Sequence, residues 1–214
     1  IIELNRDVGE KFKKRFLSQS EPLLKKTNKV KRALIIGSGS IGQRHIRNLK
    51  KIGINNIICL RSKKGHFKEL PKELSVTEVD SWEKAKDLNP DIAIISNPSN
   101  LHVNSAIQVS DYVKGILIEK PLSDSSVSCK KLVDLLDKKK VVSFVGHNMM
   151  FHPIIEEIIK FNDDNDLGSI LNIQCQAGQW LPDWHPYEDF RNAYYARKDL
   201  GGGVALTLIH EIHL

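Results

Sequence analysis

Short apolar runs alternate with helical stretches between residues 32 and 146, and this alternation narrows the folds open to the chain. The predicted strands are Ala33–Ile36, Asn56–Leu60, Ile92–Ser96, Ile116–Ile118 and Val141–Val145, with a weaker candidate over Leu74–Val79. The predicted helices between them are Ile41–Lys51, Ser81–Asp87, Leu101–Ser110 and Ser125–Lys138. Such alternation is typical of a parallel sheet built from βαβ units. The pattern therefore predicts a doubly wound α/β domain whose ligands bind at the carboxyl ends of the strands.

A glycine-rich turn joins the first predicted strand to the first predicted helix. Its residues are Gly37, Ser38, Gly39, Ser40, Ile41 and Gly42. In a βαβ unit this GxGxxG spacing allows a tight turn at Gly37, close approach of a diphosphate at Gly39, and packing of helix on strand at Gly42. The helix N-terminus then faces the phosphates. The motif predicts a Rossmann domain that binds a dinucleotide, against the alternative of a glycine turn with a purely structural use.

The residues after the second predicted strand bear on the choice of dinucleotide. An NAD-binding domain usually places Asp or Glu about 20 residues past the first glycine, where the acid binds the ribose hydroxyls. This chain has Arg61, Ser62 and Lys63 instead. A guanidinium, a hydroxyl and an ammonium suit the dianionic 2′-phosphate of NADP. We therefore expect NADP as the cofactor and NAD as the second choice; the alternative interpretation is an exposed basic turn.

The sequence changes character after Gly146. Further elements are predicted as a helix over Phe151–Phe161, a loose strand over Gly168–Gln179, and an apolar helix after Gly201–Gly203. We expect a basic leader or linker at residues 1–29, the dinucleotide-binding domain at 30–146, and a partial α/β substrate-binding domain at 147–214.

The net charge of +6 is confined to the start of the chain. Residues 1–32 hold ten Lys or Arg against four Asp or Glu, so the remaining 182 residues carry 22 of each sign. A solvated charge run is the usual outcome, and nucleic acid ranks last among the expected partners. No segment reaches the ~20 apolar residues that span a membrane, so we expect a cytoplasmic protein with no membrane partner. Cys59, Cys129 and Cys175 are widely separated, which is typical of reduced structural thiols.

Two further motifs stand at the ends of the later strands. They are Asn97-Pro98-Ser99-Asn100-Leu101-His102 and Glu119-Lys120-Pro121-Leu122. With the glycine turn and the stretch from Gly146 to Pro153, these ordered motifs resemble the Gfo/Idh/MocA family of oxidoreductases over residues 32–214. The resemblance implies hydride transfer between a nicotinamide cofactor and a hydroxyl or keto carbon of a sugar or nucleotide-sugar.

The resemblance also assigns roles to residues of these motifs. It places Lys120 near the nicotinamide and the substrate hydroxyl, with a cis peptide before Pro121. The implied cofactor-binding residues are Asn97, Pro98, His102, Glu119, Lys120 and Asn148. The alternative for Asn148 is an asparagine that only caps its loop. A lysine shielded from water beside a positive ring can exchange a proton near neutral pH, which agrees with a catalytic Lys120. The alternative is a lysine that only anchors Glu119 or a loop carbonyl.

The glycine run and the apolar residues after it resemble the family's active-site helix. This resemblance makes His210 the second catalytic residue and Thr207 a substrate-binding residue, because imidazole titrates near neutrality and a sugar hydroxyl must lose a proton. The chain departs from the family pattern at Thr207 and His213, where many relatives have aspartate, and at Met150, where relatives often have arginine. His210 is alternatively a histidine on the helix surface. His210 and His213 lack the full HExxH arrangement, so we predict no metal.

The aromatic, polar loop before the glycine run has the composition of a sugar-binding surface. Flat rings stack on one face of a sugar, and polar groups form hydrogen bonds with its hydroxyls. The candidate substrate-binding residues are Trp184, His185, Tyr187 and Arg191. The alternative interpretation is that these aromatic side chains only pack the loop down.

One physical difficulty concerns the second domain. Relatives complete it with a large open sheet, whereas this chain supplies one candidate strand after residue 168. The missing strands would leave an apolar sheet face and edge uncovered. We expect either a fragment of a longer enzyme, which would form a homo-oligomer at full length, or a non-catalytic NADP-binding or regulatory module.

Overall fold

The computed structural model describes residues 30–63, 67–163, 168 and 171–210 of the chain. The chain divides into two compact units. Among the described residues, the sheet unit comprises those of 30–146 and Leu181–Thr207, and the second unit comprises those of His147–Trp180 and 208–210. The predicted basic leader at residues 1–29 lies outside the described residues.

The sheet unit is built on six strands. They are β1 (Arg32–Ile36), β2 (Asn56–Leu60), β3 (Thr77–Val79), β4 (Ile92–Ile95), β5 (Gly115–Ile118) and β6 (Val142–Val145). Their order across the sheet is β3-β2-β1-β4-β5-β6, and every pair is parallel. The predicted Rossmann sheet is confirmed. Because the strand order reverses between β1 and β4, the ligand crevice of such a sheet opens there.

Helices cover both faces of this sheet. They are α1 (Ser40–Lys51), α2 (Trp82–Asp87), α3 (His102–Val109) and α4 (Ser126–Lys139). Side chains alternate across β1, so that Ala33 and Ile35 pack with Ile46 of α1, while Leu34 packs in the opposite layer with Val109 of α3. Burial on both faces explains why the strands read as continuous apolar runs in the sequence.

The second unit contains less regular structure than the sequence suggested. A helix, α5, spans Pro153–Asp163. The strand predicted over Gly168–Gln179 is wrong for residues 171–179, which have no regular secondary structure and are exposed. A strand needs a neighbouring strand to pair its backbone groups. The six strands of the described residues pair with one another in the parallel sheet, so none of them pairs with residues 171–179. The predicted division into domains at residue 146 stays a prediction.

Two single helical turns occur late in the sheet unit. They are α6 (Leu181–Trp184) and α7 (Val204–Thr207). The helix predicted after Gly201–Gly203 is thus present as one turn, and its continuation past residue 210 lies outside the described residues. Throughout the described part of the chain, no helix has the length and apolar character that crossing a membrane requires.

Candidate functional site

The turn from β1 into α1 requires glycine at two positions. Gly37 has a φ of +94°, and a Cβ on it would lie 2.7 Å from the backbone nitrogen of Asn97. A Cβ on Gly42 would lie 2.1 Å from the carbonyl oxygen of Gly37. Any side chain at Gly42 would therefore push α1 away from β1. These two glycines hold the start of α1 against the point where the strand order reverses.

Gly39 is different, because the packing of the chain on itself does not require a glycine there. Its backbone is extended, with φ −65° and ψ −174°, and a Cβ on it would meet nothing within 4 Å. No described side chain caps α1, and its first turn contains no acidic residue. The leading amides of α1 thus keep their hydrogen-bonding capacity and the positive end of the helix dipole. The turn formed by Gly37, Ser38, Gly39, Ser40, Ile41 and Gly42 fits a diphosphate.

The basic residues after β2 occupy different environments. Arg61 is only 4% exposed, and its guanidinium donates to the carbonyl oxygen of Phe67 and lies 3.4 Å from the carboxylate of Glu78. Ser62 and Lys63 are exposed. The structure therefore buries Arg61 within the protein, whereas Ser62 and Lys63 lie on the solvent side of this turn, with the Lys63 ammonium 3.8 Å from the Glu78 carboxylate.

The loop after β4 packs around a buried histidine. His102 is 1% exposed, and its two ring nitrogens each lie 2.8 Å from a carbonyl oxygen, one of Pro121 and one of Asn97. Burial lowers the pKa of His102, and the two carbonyls oppose this only in part. His102 thus ties the loop that contains Pro98 to the loop after β5. His102 would therefore influence coenzyme binding by positioning these two loops, because both nitrogens of its own ring are already in contact with carbonyl oxygens.

Asn97 keeps one polar atom without a protein partner. Its Nδ2 donates to the hydroxyl of Ser105 over 2.8 Å, whereas its Oδ1 is buried and has no hydrogen-bond partner among the described residues. An unsatisfied buried carbonyl oxygen is costly, so such atoms often mark a place where a ligand binds.

Glu119 is a partly buried carboxylate at the end of β5, with a side chain that is 19% exposed. It accepts a hydrogen bond from His45 Nε2 over 2.7 Å and one from the backbone nitrogen of Lys120 over 3.3 Å. A Cβ on Gly146 would lie 3.3 Å from its Oε1. Burial alone raises the pKa of Glu119, but the hydrogen bond and charge of His45, with the amide and charge of Lys120, outweigh it and lower that pKa. The carboxylate therefore joins α1, the end of β5 and the end of β6.

Lys120 follows Glu119 and precedes a cis peptide bond to Pro121, as predicted. Its ammonium donates to the backbone carbonyl oxygen of Thr207 over 2.7 Å. Thr207 is 6% exposed, and its hydroxyl is buried without a partner among the described residues. The structure brings these two predicted site residues together through the Thr207 carbonyl.

The aromatic loop forms a cluster of rings in the sheet unit. Trp184 stacks on His185 with centroids 5.1 Å apart, and both rings lie close to Tyr195, at 5.0 and 5.4 Å. The Tyr187 hydroxyl is 2.9 Å from His185 Nδ1. Arg191 is exposed and pairs with Asp189 over 3.3 Å. Trp184 and His185 thus pack against their own segment, which agrees with the packing interpretation for these two residues.

Two predicted site residues lie in the second unit. Asn148 is exposed and begins a short turn, Asn148–Phe151, that precedes α5. The ring of His210 meets that of His147 edge-on, with centroids 6.2 Å apart. Among the described residues no three His, Cys, Asp or Glu side chains form a group that would hold a metal ion. The roles of Asn148 and His210 stay predictions.

Sequence reasoning missed His45 and Ser96. His45 pairs with Glu119, 74 positions away, and the Ser96 hydroxyl donates to the carbonyl oxygen of Gly37 over 3.0 Å. The only available signals were a histidine on α1 directly after the glycine turn and an acid in the Glu-Lys-Pro motif that needed a partner.

The sheet order, the open glycine turn at its reversal point and the Glu119–Lys120 motif at the end of β5 define a dinucleotide-binding domain of the oxidoreductase type. Residues 31–147 match the Gfo/Idh/MocA model, described as an oxidoreductase family with an NAD-binding Rossmann fold. The chain belongs to this family.

Individual relatives are less than 30% identical to this chain, and each is more than twice as long as the part that matches. The chain is 28% identical over 127 residues to the levoglucosan dehydrogenase of Pseudarthrobacter phenanthrenivorans, covering 58% of this chain and 32% of that protein. It is 26% identical over 141 residues to the scyllo-inositol 2-dehydrogenase (NAD(+)) of Bacillus subtilis, covering 64% and 41%. The crystal structure of the Bordetella pertussis WlbA dehydrogenase with NADH and UDP-GlcNAcA superimposes with a TM-score of 0.60 at 20% identity, covering 66% and 44%. The chain therefore spans less than half the length of these relatives.

The charge of Glu119 generates a pH prediction. Its pKa in the folded protein lies below the unfolded value of about 4.3, so the carboxylate stabilises the fold above that pH, and the stabilisation is lost as pH falls through the folded pKa. Glu119→Gln should lower the free energy of unfolding by about 1–3 kcal/mol at pH 7, and the difference from the unsubstituted chain should shrink below about pH 4. Urea unfolding across this range measures both.

The control for that experiment is Glu73→Gln, which alters an exposed carboxylate. This variant should match the unsubstituted chain at every pH. A difference for Glu119→Gln that stays constant from pH 7 to pH 3 would contradict the assigned pKa direction.

Proposed function

We propose that this chain binds a nicotinamide dinucleotide at the carboxyl ends of its strands. We further propose that, as part of a longer protein, it transfers hydride to or from a sugar or nucleotide-sugar. The observation that most supports the proposal is the open space over Gly39, which lies between Gly37 and Gly42, two glycines that the fold itself requires. A residue with no packing reason to be glycine, placed at a helix N-terminus, is explained by a ligand that lies against its backbone.

The proposed coenzyme is held by backbone and side-chain groups of the sheet unit. The amides of the glycine turn would bind the diphosphate, Ser62 and Lys63 the adenosine ribose, and Asn97 the nicotinamide half, through its buried Oδ1. A bound dinucleotide supplies C4 of its nicotinamide ring as the hydride donor or acceptor. The remaining steps belong to the chain's own residues.

The choice between NAD and NADP depends on the residues after β2. The guanidinium of Arg61 is buried and engaged, so recognition of a 2′-phosphate would rest on Ser62 and the ammonium of Lys63. NADP stays the expectation from these two groups, whereas two relatives favour NAD, one named as an NAD(+) enzyme and the other crystallised with NADH. Tighter binding of NADPH than of NADH would support NADP, and the reverse order would support NAD without affecting the dinucleotide proposal.

Replacement of Gly39 tests the dinucleotide proposal. Because a Cβ there meets no protein atom, Gly39→Val should leave the free energy of unfolding within about 1 kcal/mol of its original value. The new side chain would occupy the diphosphate position, so the Kd for NADH should rise about tenfold or more, equivalent to about 1.4 kcal/mol. Isothermal calorimetry with NADH and NADPH measures this.

Gly178→Val is the matched control, since Gly178 is exposed and a Cβ on it also meets nothing within 4 Å. This variant should bind both coenzymes normally. Unchanged NADH affinity in Gly39→Val, or no binding of either coenzyme by the well-folded unsubstituted chain, would overturn the proposal.

We assign proton transfer at the substrate hydroxyl to Lys120, with His210 as the second acid or base. The hydrogen bond from the Lys120 ammonium to the Thr207 carbonyl oxygen holds the lysine side chain in one orientation. An ammonium has three donors, so another of them can reach a substrate oxygen. In the direction of oxidation, the neutral amine of Lys120 would accept the hydroxyl proton as hydride leaves the same carbon. In the direction of reduction, the ammonium would give that proton to the carbonyl oxygen as hydride arrives.

Lys120→Met should separate catalysis from coenzyme binding. It removes the proton-transfer group, so turnover should fall about 10²–10⁴-fold, while the Kd for coenzyme changes little. Coenzyme absorbance reports turnover with scyllo-inositol, levoglucosan, UDP-GlcNAcA and their keto forms, and Lys130→Met, on the exposed side of α4, is the control.

The second candidate function is a non-catalytic NADP-binding or regulatory module. Tight coenzyme binding by this chain, with no turnover of any of these substrates, would support the module. Turnover that Lys120→Met abolishes would eliminate it.

A further inference from the structure

The segment Leu181–Thr207, here called the strap, belongs to the same compact unit as the sheet. The strap contacts the rest of this unit at separate points on the carboxyl side of the strands. Tyr187 lies beside the glycine turn and the loop after β2, and Asp199 lies beside the loop after β4. Thr207 lies beside Lys120, after β5. The strap therefore runs past the loops that would surround a bound dinucleotide.

Two close approaches of backbone fix the far end of the strap. A Cβ on Gly201 would lie 2.8 Å from the backbone nitrogen of Asn100, and a Cβ on Gly202 would lie 2.1 Å from the carbonyl oxygen of Tyr194. The Asn100 side chain also donates to the Asp199 carbonyl oxygen over 2.9 Å. Packing therefore requires glycine at Gly201 and Gly202. The contacts of Gly201 and Asp199 with Asn100 hold the strap at the loop after β4.

Tyr187 lies at the opposite end of this path. Its hydroxyl, which lies 2.9 Å from His185 Nδ1, is also close to the side chain of Ser40, the first residue of α1. Its ring lies 6.1 Å from that of Phe67, in the loop after β2. These two neighbours mark the diphosphate position and the adenosine position of the site. About half of Tyr187 nevertheless stays exposed, at 49%, so a ligand can still cover its ring.

We propose that Tyr187 is a coenzyme-binding residue that closes over the adenosine diphosphate half of a bound nicotinamide dinucleotide. The inference rests on the proposed function and deepens it. It moves Tyr187 from the sugar site, where the sequence placed it, to the coenzyme site. An aromatic ring with an apolar face and a polar tip can stack on adenine while its hydroxyl stays hydrogen-bonded beside the phosphates.

Tyr187→Ala tests this directly in the full chain. The Kd for NADH and the Kd for ADP-ribose should both rise about five- to tenfold and by the same factor, because both ligands share the half that Tyr187 covers. Tyr187→Phe keeps the ring and should lose about threefold or less. Lys198→Ala, an exposed position on the same strap, should bind both ligands as the unsubstituted chain does. Urea unfolding confirms that the variants remain folded.

Each other outcome overturns the inference. A loss for NADH without a loss for ADP-ribose would place Tyr187 at the nicotinamide end. Unchanged coenzyme affinity with a raised KM for a sugar would return it to the substrate site, and tighter coenzyme binding would mean that the strap competes with the ligand. If the unsubstituted chain binds neither NADH nor ADP-ribose, the proposed function fails as well, which distinguishes the two failures.

Discussion

The contact between the start of α1 and the end of β1 is the constraint on which the rest of the site depends. With no side chain at Gly42, the helix backbone comes close to the Gly37 carbonyl, and with none at Gly37 the turn lies against Asn97. This packing sets the N-terminus of α1 at the reversal point of the strand order. The open backbone at Gly39, the loop after β4 and the hydrogen bond from Ser96 are all arranged around it.

Glu119 connects α1 to the ends of β5 and β6. Its carboxylate links His45 on α1 to Lys120, and the glycine at position 146 leaves room for it beside the end of β6. Removing one partner of a partly buried, hydrogen-bonded charge costs more than an exposed ion pair contributes. The helix that would hold the diphosphate and the lysine that would move the proton are therefore connected by one short hydrogen-bond chain.

The regular parts of this fold were predictable because their signals are local. β2 begins and ends where the sequence predicted, and the glycine turn has the strand and helix that its motif requires. Pairs distant in sequence were not predictable. Arg61 was assigned to a 2′-phosphate because nothing local indicated that Glu78 and the Phe67 carbonyl would engage it. The strand expected over Gly168–Gln179 had the right residues but no neighbouring strand among the described residues.

The central claim is that backbone amides of the β1–α1 turn bind a dinucleotide's diphosphate. Amide NMR of the isotope-labelled chain during titration with NADH tests it most directly. We expect the resonances of Gly39, Ser40 and Ile41 to move and to saturate together, since these amides would gain charged acceptors. Saturating shifts elsewhere, with these three resonances unmoved, would contradict the account.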